Sequence, residues 1–260
     1  TTGTPVVLVP GAFETADTFA ELGPVLGATH RVYAIDLTGT GYSAPSPPYS
    51  AVHQGGQLLA FLTAKGLSGA NAAVLVGHSA GAAVVGMAAV NGGTRYARGI
   101  VFLDGDAEPL GGPGFLGWLL VDPYRTSLLR LGLSQDWLIR KIYRSQCGPS
   151  CAALSAAGVQ TWRRPLQQPG FAGELDYVLR HGITSMTAGQ FVALRNVRLP
   201  KLVIYGVDDP QMSAADETAT AQRIGAPSPV TVPGRHLTMI SSPAPLAAAL
   251  DGFLRSAHAS

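Results

Sequence analysis

Six short apolar runs, bounded by Gly, Pro or Asp, constrain the fold of this chain more than any other feature. They are "PVVLV" at 5–9, "RVYAIDL" at 31–37, "AAVLVG" at 72–77, "GIVFLD" at 99–104, "KLVIYG" at 201–206 and "PVTV" at 229–232. A strand with one wet face alternates apolar and polar residues. Continuous apolarity marks a strand buried on both faces, as in a parallel sheet covered by helices. Segments with helical patterning fall between the runs, at 16–26, 52–65, 80–91, 213–224 and 243–256. In the last of these Leu246, Leu250, Phe253 and Leu254 recur at i, i+4, i+7 and i+8, a single core-facing stripe. Strand and helix alternate, so the expected class is α/β: an open, mostly parallel sheet with helices on both faces.

Between 107 and 197 this rhythm fails. "GFLGWLLV", "SLLRLGL", "DWLIRKIY", "LDYVLRHG" and "AGQFVALRN" suggest short helices cut by Gly and Pro, and all three tryptophans lie here. The division that follows is a core of 1–106 and 198–260 with a helical cap, 107–197, inserted in it. The insert interrupts the sheet where the carboxyl ends of the strands open, the side on which open α/β sheets bind ligands. An apolar cap over a pocket is therefore expected, the alternative being a packed helical subdomain with no part in binding.

Composition excludes several function classes. With 260 residues, 47% of them hydrophobic, the chain can bury a large core. Its net charge is +2, and its 18 Lys and Arg are scattered apart from short pairs such as Arg163-Arg164 and Arg140-Lys141, so no nucleic-acid partner is expected. Apolar stretches break well before the ~18 residues that span a bilayer, so no membrane span is expected either. Cys147 and Cys151 in "CGPSC" stand four apart across a Gly-Pro turn, within disulfide reach. Two thiols alone cannot complete a tetrahedral zinc site. A disulfide is expected, two free thiols being the alternative, and it points to secretion rather than the cytoplasm. The opening "TTGTPVVLVP" has no initiator Met and no basic-then-apolar leader, so a removed leader or a trimmed start is expected.

The chemistry centres on "VLVGHSAGAA", 74–83. In a chain with 32 glycines and 17 serines a bare Gly-x-Ser-x-Gly arises by chance roughly a quarter of the time, so context must decide. Here a buried-strand pattern leads in and a small-residue helix leads out. A sharp strand-to-helix turn crowds its neighbours, and residues 77, 80 and 81 are all small. The segment resembles the nucleophile elbow of the α/β-hydrolase family, which makes Ser79 the nucleophile.

The resemblance extends over most of the chain. "LVPGAFETADTFAEL" is similar to the family's oxyanion loop, with Pro10 at its usual His position; the resemblance implies Ala12 as the backbone donor, or Phe13 if the loop is shifted, with Ala80 as the second donor. "DLTGTGYSA" matches the family's Asp-x-x-Gly-x-Gly-x-Ser loop through Asp36, Gly39, Gly41 and Ser43. A dinucleotide fingerprint also fits Gly39, Gly41 and Ala44, but "PSPPYS" follows and cannot open the helix a phosphate site needs. In the family order the acid and then the base follow the serine. Gly-x-x-Asp-Pro in "LVIYGVDDPQM" favours Asp209 over Asp208, with Asp106 in "FLDGDAEP" a third candidate and Asp104 a strand-end structural residue.

His236 in "VPGRHLTMISSP" resembles the family's Gly-His loop with Arg235 inserted, and is the expected base. The competing histidines have plainer roles: His30, His53 and His258 as surface residues, His78 as packing beside the elbow, His181 as a helix end in the cap.

A serine, a carboxylate and a histidine at the carboxyl ends of separate strands imply acyl transfer. The expected activity is a serine hydrolase of hydrophobic carboxylic esters or lactones, monomeric or homodimeric, with no cofactor and no metal. Apolar residues of the insert, Phe115, Trp118, Leu119, Leu120, Trp137 and Trp162, either line its pocket or form its own core. The resemblance also admits perhydrolase, carbon–carbon hydrolase and cyclase chemistry, or a ligand receptor on the same fold. Epoxide hydrolases and dehalogenases of the family carry Asp where Ser79 stands.

Overall fold

The computed structural model describes residues 3–109 and 124–259. Phe115, Trp118, Leu119, Leu120 and the "GFLGWLLV" segment lie outside the described residues. Six strands form one sheet: β1 (Pro5–Val9), β2 (Arg31–Ala34), β3 (Ala73–His78), β4 (Ala97–Leu103), β5 (Lys201–Gly206) and β6 (Val230–Val232), in the order β2-β1-β3-β4-β5-β6. Every neighbouring pair is parallel.

In the four central strands the continuous apolar runs have the expected consequence, whereas the edge strands β2 and β6 stay partly exposed. Val7 and Val9 of β1 join Leu75, Phe102 and Val203 in one core, and the intervening Val6 and Leu8 join Val74, Val76, Val101, Leu103 and Ile204 in another. Successive side chains of a strand point to opposite faces, so a run apolar at every position builds two cores at once. Helices α1 (Leu22–Gly27), α2 (Ala51–Ala64) and α3 (Gly81–Gly92) follow the first three strands. The first core is closed by α2 and α3, the second by α1 and by the last helix, in which Leu246, Leu250 and Leu254 are fully buried and Phe253 packs beside them.

Some elements differ from the sequence pattern. β2 stops at Ala34 because the carboxylate of Asp36 accepts the N–H groups of Ala16 and Tyr42, each at 2.8 Å, and so turns the chain. The segment 16–26 divides into a 3-10 turn, Ala16–Phe19, and α1, whose Pro24 sits in the first turn where a missing N–H is harmless.

After β4 come α4 (Tyr124–Leu133), α5 (Asp136–Cys147), α6 (Ala156–Gln167), α7 (Phe171–His181) and α8 (Ala188–Asn196). The pattern of the sequence did not suggest α6. Ser155 caps it at the Gly158 N–H, and Pro165 falls near its carboxyl end. Helix α8 packs against α3 and α9 (Ala214–Ile224), and its Phe191 and Leu194 join the first core. The chain ends in α10 (Thr238–Ser241) and α11 (Pro243–Ala259). No helix among the described residues is long and apolar enough to cross a membrane.

Candidate active site

In a parallel sheet all carboxyl ends open on one side, and a crevice forms where the strand order reverses. Here the reversal lies between β1 and β3, whose ends carry the loop from Gly11 and Ser79. Ser79 occupies the turn between β3 and α3 with φ 50°, the left-handed region that costs a side-chain-bearing residue energy. The flanking glycines are forced by close approach: a Cβ on Gly77 would stand 2.3 Å from the Gly81 oxygen, and one on Gly81 would stand 2.6 Å from the Pro10 oxygen. The turn is tied to the sheet by the Ser79 N–H, which donates to the Leu103 carbonyl at 2.9 Å. Other positive-φ residues cluster at the same strand ends: Phe13, Asp104 and Ala107.

The loop after β1 lies against the serine, since a Cβ on Gly11 would stand 2.9 Å from Ser79 Cβ. Glu14 shapes this loop. Its Oε2 accepts the Gly11 N–H at 2.9 Å and pairs with His78 Nδ1 at 2.8 Å. Burial opposes its charge, but His78 beside it holds the carboxyl below the usual range. Among the described residues the N–H groups of Ala12 and Ala80 have no acceptor. Phe13 has φ 63°. Its N–H faces the carboxyl of Glu174, a buried residue of α7.

Of the carboxylates considered from sequence, Asp209 is the one that meets His236: Oδ2 lies 2.8 Å from Nδ1, and the Asp209 side chain is fully buried. The loops after β5 and β6 are held together by the Asp208 N–H donating to the Gly234 carbonyl at 3.0 Å. Asp208 itself is exposed, and Asp106 turns back to accept the Glu108 N–H at 2.9 Å. Asp104 is fully buried, accepts the Gly206 N–H at 2.7 Å and the Thr238 hydroxyl, and is pushed by burial up to about 6. It fastens β4 to β5 and to the helix just after His236.

With Nδ1 of His236 engaged by Asp209, Nε2 is the nitrogen left for a reacting group. Among the described residues no hydrogen bond joins Ser79 Oγ to His236. Such contacts are commonly long before a substrate binds.

The remaining histidines are engaged elsewhere. His30 pairs with Asp251 at 3.0 Å, His53 contacts Ser46 and Gln57, and His181 lies against the Tyr177 ring. The side chain of His258 lies outside the described residues.

The helices between β4 and β5 reach both sides of the site: Phe171 of α7 stacks edge-on to Phe13 with centroids 5.4 Å apart, and Gln146 of α5 accepts the Leu237 N–H at 3.2 Å. Trp162 packs on Tyr143, and Trp137 is exposed. Cys147 and Cys151 are within disulfide distance, their Cα atoms 5.9 Å apart. Among the described residues no group of three His, Cys, Asp or Glu side chains is arranged to hold a metal.

Three buried groups of this region went unnoticed in the sequence: Glu14, Glu174 and Glu217. Burial pushes Glu174 and Glu217 up to about 8, for Glu217 with help from Asp104, Asp106, Asp209 and Asp216. Only Glu14 had a signal, because Pro10 removes the polar side chain usual at that point in the loop and something else must hold Gly11.

The sequence model of the alpha/beta hydrolase family matches residues 6–249. No curated protein sequence matches. Among solved structures the chain is similar to an esterase from Thermogutta terrifontis with malate bound (TM-score 0.76, 20% identity, covering 99% of this chain and 91% of that one). It is also similar to a bromoperoxidase from Bacillus anthracis (0.73, 19%, 98% and 92%) and to the enol-lactonase from Burkholderia xenovorans (0.75, 16%, 98% and 92%).

Proposed function

The chain belongs to the α/β-hydrolase family, and from that premise we propose that it is a serine hydrolase cleaving hydrophobic carboxylic esters or lactones through an acyl-enzyme on Ser79. The observation that carries this is the buried contact of 2.8 Å between Asp209 and His236 Nδ1, in loops that follow two different strands. Asp209 fixes the imidazole so that Nε2 faces outward as a base, and stabilises the imidazolium once it forms. Ser79 attacks the acyl carbonyl, its proton passes to His236, and His236 returns it to the leaving oxygen. Water repeats the cycle on the acyl-enzyme and releases the acid.

Ala12 and Ala80 supply the oxyanion hole. Their N–H groups have no acceptor among the described residues, and Ala80 opens α3, whose positive end favours developing negative charge. Each such donor contributes on the order of 3 kcal/mol in the transition state.

Helices α4 to α7 act as a cap over this site, while α8 packs into the core; Phe171 against Phe13 and Gln146 against Leu237 support that role. The similar structures bear esterase, lactonase and bromoperoxidase names, and at their low identity they choose none of these for this chain. Turnover of p-nitrophenyl esters of increasing acyl length, against Ser79→Ala, tests the proposal. Wild type is expected to hydrolyse the apolar esters and the variant to lose nearly all activity; an inactive wild type would remove the reading. Secretion is proposed from Cys147 and Cys151 alone, and two free thiols in the unreduced, denatured protein would withdraw it.

A further inference from the structure

Among the buried groups that this reaction does not use, His78 joins the most parts of the site. Its ring is fully buried, and both nitrogens end on oxygen: Nδ1 lies 2.8 Å from Glu14 Oε2, and Nε2 lies 2.9 Å from the carbonyl oxygen of His236. A carbonyl oxygen can only accept, so Nε2 carries a hydrogen. Glu14 Oε2 also accepts the Gly11 N–H at 2.9 Å, and this carboxyl is held below its usual range, so the oxygen facing Nδ1 is ionised and accepts. A ring that donates from both nitrogens is an imidazolium.

We propose that His78 is a resident imidazolium and a positioning residue, clipping the oxyanion loop and the loop of the general base to one ring. This rests on the roles assigned above to Ala12 and His236. Through Glu14 one nitrogen holds the peptide N–H just before Ala12; the other holds the backbone of His236 itself. The partners lie 64 residues before His78 and 158 after it, so no local structure could set their spacing. Pro10 cannot hold the loop through a polar side chain, and the Glu14–His78 pair does so instead.

The charged and titratable groups around the ring are consistent with a fixed cation. Glu14 faces it from the loop after β1, Asp104 from the end of β4, and the His236 ring from the loop after β6, with centroids 4.9 Å apart; Asp209 stands behind His236 and Glu217 beside Asp104. Burial alone would strip the proton, but Glu14, then Asp104 and the His236 carbonyl, raise the ring to about 9.

The test is long-range proton–nitrogen NMR of the protein labelled at histidine nitrogen, with His78 assigned by loss of its signals in His78→Gln. Both ring nitrogens should remain protonated from pH 6 to 8 in wild type. In Glu14→Gln, which keeps an acceptor for Gly11 but removes the counter-charge, the ring should be neutral at pH 8. His78→Gln should lower kcat by about tenfold or more with KM nearly unchanged, as misplaced oxyanion donors do. A single protonated nitrogen in wild type at pH 7 would overturn the imidazolium, whatever the activity. Unaltered kcat in His78→Gln would overturn the positioning role. Absence of turnover and of Ser79 labelling in wild type would remove that role together with the reaction, and the spectrum would still decide the charge.

Discussion

The imidazole of His236 rests on the carboxylate of Asp209, Nδ1 to Oδ2 at 2.8 Å, and the neighbouring carboxylate Asp208 points into solvent. This distinction has a direct kinetic consequence. Asp209→Asn is expected to lower kcat for an activated ester on the order of 10³–10⁴-fold, because the amide favours the wrong imidazole tautomer. Asp208→Asn, an exposed substitution, is expected to leave it within about twofold. Equal losses in both variants would show that the pair in the structure is not the working one.

The left-handed backbone of Ser79 gives a prediction about stability. At φ 50° an alanine keeps the strain and a glycine relieves it. Ser79→Gly is therefore expected to be more stable than Ser79→Ala by about 1 kcal/mol in urea unfolding, although both lack the hydroxyl. A Gly variant less stable than the Ala variant would mean that the turn is not strained.

Buried titratable groups set how stability depends on pH. Burial raises Glu174 and Glu217 from 4.5 to about 8, and the surrounding acids raise His78 from 6.5 to about 9 despite its burial. Over these windows the folded chain holds more protons than the unfolded one, so stability falls as pH rises. The contribution of the His78 proton is complete below pH 6.5 and lost above about 9. Glu14, held below 4.5, acts in the opposite sense, but only toward acid pH. Tm should be highest on the acid side of neutrality and fall steadily toward pH 9; a Tm that climbs over that range would contradict the assignment.

Glu217 sharpens that prediction. It is fully buried in α9, and among the described residues both its oxygens lack a hydrogen-bond partner. Glu217→Met should raise stability by about 1–3 kcal/mol, and by more at pH 8 than at pH 5. Thermal melts at the two pH values read this directly. Destabilisation at pH 8 would show that the carboxyl has a partner that matters.

What the sequence revealed and what it hid divide along physical lines. The strand runs 5–9 and 201–206 coincide with β1 and β5, because burial on both faces leaves an unbroken apolar signature. Ser79, Asp209 and His236 stood out because each follows such a run, where small residues and turn residues punctuate the chain. Helix α6 was hidden by its Pro165 and by its low apolar content, which leaves no apolar run in "AAGVQTWRRPLQ". The partners of His78 were hidden for a different reason: Glu14 and the carbonyl of His236 are brought to it only by the order of the strands, and apart from the indirect hint of Pro10 a single glutamate in a loop carries no periodic signal. Asp209 and Asp208 could be ranked but not separated until the fold turned one inward and the other out.

The central claim is that Ser79 is a nucleophile activated by His236. Mass spectrometry of the protein after exposure to a fluorophosphonate measures it most directly. A single phosphonyl adduct on the peptide containing Ser79, formed in step with loss of ester turnover and absent from Ser79→Ala, is the predicted result. No adduct, or an adduct on another residue while Ser79→Ala still turns over ester, would contradict it.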